Sequence, residues 1–169
     1  MKLGVLSDTH GYMDERIIAH LKGCDLIVHA GDVGHPDVLE SIRNIAPVIG
    51  VYGNIDGGAI RSQLPEWQFQ TVEKMGFLVI HIAGAFQKYN AKTRALIAEF
   101  KPEVLVCGHS HILKVAHDKS HDLLYVNPGA CGRHGFHKTR TLLTLEVDGS
   151  KLHNMRVVEL GPRSANAVG

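Results

Sequence analysis

Short apolar runs, each breaking off just before a cluster of aspartate, asparagine or histidine, are what most limit the folds open to this chain. Leu3-Gly4-Val5-Leu6 stops at Ser7-Asp8, Asp25 to Ala30 (DLIVHA) at Gly31-Asp32, and Pro47 to Val51 (PVIGV) shortly before Gly53-Asn54. Runs this short and this uniformly apolar read as strands buried on both faces. The stretches between them are amphipathic and carry helix punctuation. Asp14 can cap a helix bearing Ile17, Ile18 and Leu21, which Gly23 stops. Pro36 opens a second helix through Val38, Leu39 and Ile42. A β-α-β-α-β beginning implies a parallel sheet with right-handed crossovers.

The middle of the chain changes character. Trp67 to Val72 alternates and Phe77 to Ile82 is apolar, so Lys74-Met75-Gly76 is expected to turn between two hairpin strands. A helix is expected from about Asn90 to Phe100, stopped by Pro102, and then a buried strand from Val104 to Cys107. From Lys114 onward, Val115, Leu123 to Val126, Thr141 to Val147 and Leu152 to Val158 read as a meander, with Asp148-Gly149 as one tight turn. Two face-to-face sheets with helices outside satisfy both halves. With 169 residues, no internal repeat and no low-complexity linker, one domain over residues 1–160 is expected, with 161–169 as a frayed tail.

Five motifs sit at or near strand ends: Asp8-Thr9-His10, Gly31-Asp32, Gly53-Asn54-Ile55-Asp56, His81, and Gly108-His109-Ser110-His111. In parallel α/β sheets, ligands gather beyond the carboxyl ends of the strands. Two Asp, one Asn and four His supply seven oxygen and nitrogen donors and no thiolate. That is too many for one tetrahedral zinc ion, and it suits two divalent cations sharing a carboxylate. Each motif alone is commonplace, since Gly-Asp and Gly-Asn-x-Asp usually mean turns. The ordered set is the signal.

That order, Asp-x-His, Gly-Asp, Gly-Asn-x-Asp, His, Gly-His-x-His, resembles the calcineurin-like metallophosphoesterases over about residues 1–160. The small bacterial and archaeal branch, with its YfcE-type phosphodiesterases, is the most similar, and Asn127-Pro128-Gly129 matches a further element of it. The resemblance implies an α/β fold, a four-layer α/β/β/α sandwich of two mixed sheets. It implies Asp8, His10 and His111 on one metal and Asn54, His81 and His109 on the other, with Asp32 bridging. The implied metal is Mn²⁺, with Fe, Zn, Ni or Co as other occupants. The implied reaction is in-line attack on phosphorus by a hydroxide held between the metals, with His10, Asp32, Asn54 and Asp56 as the catalytic set. Asp56 is expected either to orient His10 or to stabilise its own turn.

The chain departs from that pattern at Ile55, where many members carry a histidine that binds phosphate or protonates the leaving group. A bias towards activated esters or phosphodiesters follows, unless His35 or His134 supplies the proton. The segment Gly132 to Arg140 (GRHGFHKTR) holds His134, His137, Arg133, Lys138 and Arg140 and reads either as a solvated basic loop, the commoner case, or as a phosphate-gripping rim; Arg133, His134 and, outside the segment, Asn54 are the candidate phosphate contacts. The same segment is the sole support for a nuclease, and no aromatic stacking set accompanies it. Net charge is +1, which makes no bulk case for nucleic acid or an acidic membrane. A non-catalytic scaffold is the third reading, because a vacuolar-sorting subunit resembles the same family. A scaffold is free to lose ligands, and this chain keeps all seven. Cys24, Cys107 and Cys131 form no CxxC pair, the N-terminus turns polar after six residues, and no run approaches about 18 apolar residues. The cytoplasm is the expected location, a small phosphate ester the expected partner, and a homodimer or higher homo-oligomer the ordinary expectation for so small a domain.

Overall fold

The computed structural model describes residues 1–164. In chain order its elements are β1 (Lys2–Leu6), α1 (Glu15–Leu21), β2 (Leu26–His29), α2 (Pro36–Arg43), β3 (Val48–Gly50), α3 (Gly58–Arg61), β4 (Trp67–Val72) and β5 (Met75–Ile80). There follow β6 (Gly84–Ala85), β7 (Lys88–Tyr89), α4 (Ala91–Phe100), β8 (Val104–Val106), β9 (Lys114–Asp118), β10 (Leu123–Asn127), β11 (Thr139–Asp148) and β12 (Lys151–Pro162). They form two five-stranded mixed sheets, ordered β12-β11-β1-β2-β3 and β4-β5-β8-β10-β9, and a small β6–β7 hairpin. The expected α/β/β/α sandwich is present.

Strand alternation builds the layers. Leu3, Val5 and Val28 of the first sheet meet Phe77, Val79, Val104 and Val106 of the second in a core between the sheets. The opposite faces carry Leu6 and Ile27, which pack with Ile17, Leu21, Leu39 and Ile42 from α1 and α2. Leu78, Ile80 and Leu105 pack on Leu96 and Ile97 of α4. Strands buried on both faces read as continuous apolar runs for this reason. Gly4 is the one gap in the first run, and a Cβ there would lie 2.4 Å from the Leu21 side chain, so the glycine is what lets α1 close on the sheet.

Asp14 caps α1 as expected, accepting from the Ile17 N–H at 3.0 Å. Arg140 is buried against it, with Nη2 2.9 Å from the Asp14 carboxylate and 2.9 Å from the Leu160 carbonyl. This corrects the expectation of Arg140 at a phosphate-gripping rim. His35 caps α2, accepting from the Asp37 N–H.

Three expectations about elements are corrected. The β4–β5 turn is Glu73-Lys74, with Glu73 in the left-handed region, while Met75 and Gly76 already belong to β5. The meander is two hairpins in different sheets. β10 runs parallel to β8 and pairs with β9 in the second sheet, whereas β11 runs antiparallel to β1 and pairs with β12 in the first. The chain therefore crosses from one sheet to the other between Asn127 and Thr139. β12 reaches Pro162, two residues into the expected tail, and residues 165–169 lie outside the described part. No helix among the described residues is long and apolar enough to cross a membrane.

Candidate metal centre

β1, β2 and β3 run parallel, and so do β5, β8 and β10. The five motifs follow the carboxyl ends of five of these strands and come together at one edge of the sandwich. Asp8 Oδ1 lies 3.1 Å from His111 Nε2, 3.9 Å from His10 Nε2 and 4.0 Å from His81 Nε2. Asp32 turns Oδ1 to His81 Nε2 at 3.3 Å and Oδ2 to His10 Nε2 at 3.6 Å. Asn54 Oδ1 is 2.9 Å from His109 Nδ1 and 3.1 Å from His81 Nε2. All seven donors that the sequence singles out are thus neighbours. They grade from a buried floor of Asp8, Asp32 and His81, through half-buried His10 and His111, to Asn54 and His109 at the open side.

Two overlapping groups have ligand atoms close enough to share an ion: Asp8, His10 and His111, and Asp8, Asp32 and His81. Asp8 is the member common to both, whereas the resemblance makes Asp32 the bridge. Asp32 presents one oxygen to His81 and the other to His10. The donors fit a cation on direct grounds: Asp8 Oδ1 and His10 Nε2 are buried and have no hydrogen-bond partner. Buried polar atoms left unpaired are costly, and a metal between them would remove that cost.

The backbone is bent to achieve this. Asp8, His10, Asp32, His109 and His111 all have φ between 49° and 68°. Non-glycine residues seldom occupy this left-handed region, at about 1–3 kcal/mol each, and such residues gather at functional sites. Backbone bonds lock the loops together: the Asp8 N–H donates to Gly31, His10 to Asp32, Gly11 to Val33 and Gly132 to Asp8. His29 is fully buried beneath them. Its Nδ1 accepts from the Gly31 N–H, so Nε2 carries the proton and donates to Thr9 Oγ1 at 3.0 Å. Burial lowers its pKa to about 4, which keeps it neutral. Gly53 is required by close approach, since a Cβ there would lie 2.0 Å from Asp32 Oδ1.

Asp56 proves to be a brace. Its carboxylate accepts from the N–H groups of Val33 (3.0 Å), Gly34 (2.7 Å) and Gly53 (2.8 Å), and it makes no bond to His10. Of the two roles expected for it, the loop-stabilising one matches this geometry. Asn127 ties the His109 loop to its own turn, donating to the Gly108 carbonyl at 2.9 Å and accepting from the Gly129 N–H at 3.0 Å.

The donors open into a cleft of about 510 Å³ whose outer walls include Ile55, Ile112, His134, Phe136 and His137. His134 reaches it, its ring centroid 4.8 Å from that of His10. Arg133 does not: its guanidinium stacks on Tyr12 at 4.3 Å, so this candidate phosphate contact faces elsewhere. His35 is occupied in capping α2. His137, noted within the basic segment, has its ring 5.3 Å from that of His111, whereas sequence reasoning passed over Phe136 and Ile112. The crowding of glycine and histidine in the crossing segment was the only trace of Phe136, and Ile112 is marked only by following His111.

Electrostatically the floor behaves as a coupled pair. Burial pushes the His81 imidazolium down, but Asp32 and Asp8 outweigh it and hold its pKa above the ordinary value. Burial pushes the Asp32 carboxyl up, and the His81 hydrogen bond, its charge and the Ile55 N–H outweigh that, leaving it below the ordinary value. Burial lowers His10. With His81 as a ligand, a cation would have to displace its proton, so metal affinity is expected to fall as the pH drops below the raised His81 pKa. Calorimetric titration with Mn²⁺ between pH 5.5 and 8.5 checks this, and a pH-independent affinity would exclude His81 as a ligand.

Residues 1–150 match the calcineurin-like phosphoesterase superfamily domain, and the chain belongs to that family. It is 32% identical over 136 residues to a probable metallophosphoesterase of Methanocaldococcus jannaschii, covering 77% of this chain and 68% of that protein. A phosphodiesterase of the same archaeon is 27% identical over 149 residues, covering 78% and 84%. Among solved structures, the fold matches an archaeal phosphodiesterase with a TM-score of 0.74 at 23% identity, over 95% of this chain and all of that one. It matches the vacuolar protein sorting 29 protein of Entamoeba histolytica with a TM-score of 0.76 at 16% identity, over the same shares.

Proposed function

We infer that the protein is a metal-dependent phosphodiesterase working on small esters through two divalent cations, Mn²⁺ foremost. The observation that carries this is the convergence of Asp8, His10, His111, Asp32 and His81 in two overlapping donor groups that include the buried, unpartnered Asp8 Oδ1 and His10 Nε2, with Asn54 and His109 beside them. Asp8, His10 and His111 would hold one ion, Asn54, His81 and His109 the other, and Asp32 would serve both. Bound there, the cations supply Lewis acidity and an activated water for attack on phosphorus.

The chain's own groups do the rest. Asp32 and Asp8 hold the histidine rings in place, and the strained loops fix the donors before substrate arrives, so the ordering cost is met in folding. Asn54, at the open side, is where an ester oxygen can meet a side-chain amide. Ile55 is exposed and apolar where other members carry a histidine, so it can donate no proton. His134, beside His10, is the ring left to protonate a departing alkoxide. No Lys or Arg lines the cleft. A diester, with one negative charge, suits such walls better than a monoester with two.

The test uses chelated protein with Mn²⁺, Ni²⁺, Co²⁺, Zn²⁺ or Mg²⁺ restored singly. Turnover of bis-p-nitrophenyl phosphate should be metal-dependent and at least about tenfold faster than that of p-nitrophenyl phosphate, because the singly charged diester suits walls without Lys or Arg better than the doubly charged monoester. Folded protein that binds none of these ions and cleaves neither ester would overturn the reading.

A further inference from the structure

Most exposed apolar side chains on a protein are scattered and mean little. Here they are not scattered. Of the eight large apolar residues exposed among the described residues, Ile55, Ile112 and Phe136 line the metal cleft and Ile82 lines the clefts beside it. Phe136 is wholly exposed, at 102%, so it adds nothing to the core. An apolar rim that does not stabilise the fold is placed to be covered by something apolar.

What covers it can be read from what it adjoins. A second cleft of about 470 Å³ runs on from the metal cleft, and His109, Ser110 and Ile112 are common to both. Its walls are Ile82, Ala83, Phe86 and Tyr125, and a single cation, Lys114, lies 4.5 Å over the Phe86 ring. A volume of this size takes a ring or a short chain. Because His109, Ser110 and Ile112 line both spaces, a substituent on a phosphoryl group among the metal donors would have the apolar walls within reach. A polyanion would meet almost no positive charge there.

We propose that the ester carries an apolar alcohol, an alkyl or aryl group, seated in the cleft of Ile82, Phe86, Ile112 and Tyr125. This rests on the phosphodiesterase reading and names its substrate class. Ile82 and Ile112 are then specificity-determining residues. A bound chain transfers its methylenes out of water, and partial burial on an open wall gives roughly two- to fourfold tighter binding for each one.

The experiment is a series of alkyl 4-nitrophenyl phosphate diesters, methyl, butyl and octyl, below their micellar concentrations, with Mn²⁺-loaded protein. The leaving group is constant, so KM reads the alkyl chain. KM should fall roughly eight- to sixtyfold from methyl to butyl with kcat little changed, and the slope should flatten in Ile82→Ser and Ile112→Ser. Methyl-, butyl- and octylphosphonate binding, measured by calorimetry on the same proteins, reads the cleft without turnover. Good turnover with a KM and a phosphonate affinity indifferent to chain length would overturn this inference and leave the phosphodiesterase standing. Chain-dependent phosphonate binding, lost in the serine variants, in a protein that cleaves no ester would keep the apolar cleft and remove the hydrolase. Indifference in both series without turnover would remove both.

Discussion

Asp32→Ala is expected to abolish metal-dependent turnover, by at least about a thousandfold, while leaving a folded protein that no longer retains its ions. The carboxylate is 2% exposed and stands between His81 at 3.3 Å and His10 at 3.6 Å, one oxygen to each. Asp8 also reaches both halves, but through the single oxygen Oδ1. Its structural contribution is smaller: its one backbone bond is the Ile55 N–H at 3.1 Å, worth about 1 kcal/mol. The variant should therefore unfold cooperatively near the wild-type denaturant midpoint, and metal analysis after gel filtration should find no bound cation. Asp32→Asn keeps the shape and one good oxygen donor, so it should hold one ion poorly and remain nearly inactive. If Asp32→Ala keeps two equivalents of metal and its activity, the bridging assignment is wrong.

Asp56→Ala should do the opposite, lowering stability first. Its carboxylate is 4% exposed and gathers three backbone N–H groups from two loops. Alanine leaves all three short of an acceptor, at about 1–3 kcal/mol for each one that water cannot reach. A loss of roughly 3–5 kcal/mol is expected, which for a domain of this size lowers the Tm by about 10–15 °C. Loss of activity should track loss of folded protein, and Asp56→Asn should recover part of the stability through its remaining oxygen. A variant with wild-type stability and a collapsed kcat would instead return Asp56 to the chemistry.

These two aspartates show where reading the chain succeeds and where it stops. Both lie in short polar motifs after apolar strands, and both attracted attention for that reason. Residue type and spacing distinguish neither the metal-facing carboxylate nor the bracing one, because the difference is which way a side chain turns. The same holds for Arg133, Arg140 and His134, which share one basic segment: one stacks on Tyr12, one is buried on Asp14, and only His134 reaches the cleft. Short local elements were also illegible. The four-residue α3 and the β6–β7 hairpin carry too few residues for a period to emerge.

What the sequence determined by itself was the layered α/β character and the donor set. Strands buried on both faces must be written in apolar residues, and a polar motif after a buried strand must lie at the sheet's edge. Both are consequences of desolvation, and they act locally. Tertiary structure alone decided which sheet each late strand joins. β9–β10 and β11–β12 have similar patterns, and pairing with β8 or with β1 depends on partners distant in sequence. That choice sends residues 128–138 across the metal edge, bringing His134 and Phe136 to a cleft whose floor comes from other strands. Tertiary packing also forces five of the seven donors into left-handed backbone. Asp and His enter that conformation more readily than most side chains, and the surrounding hydrogen bonds hold them in it.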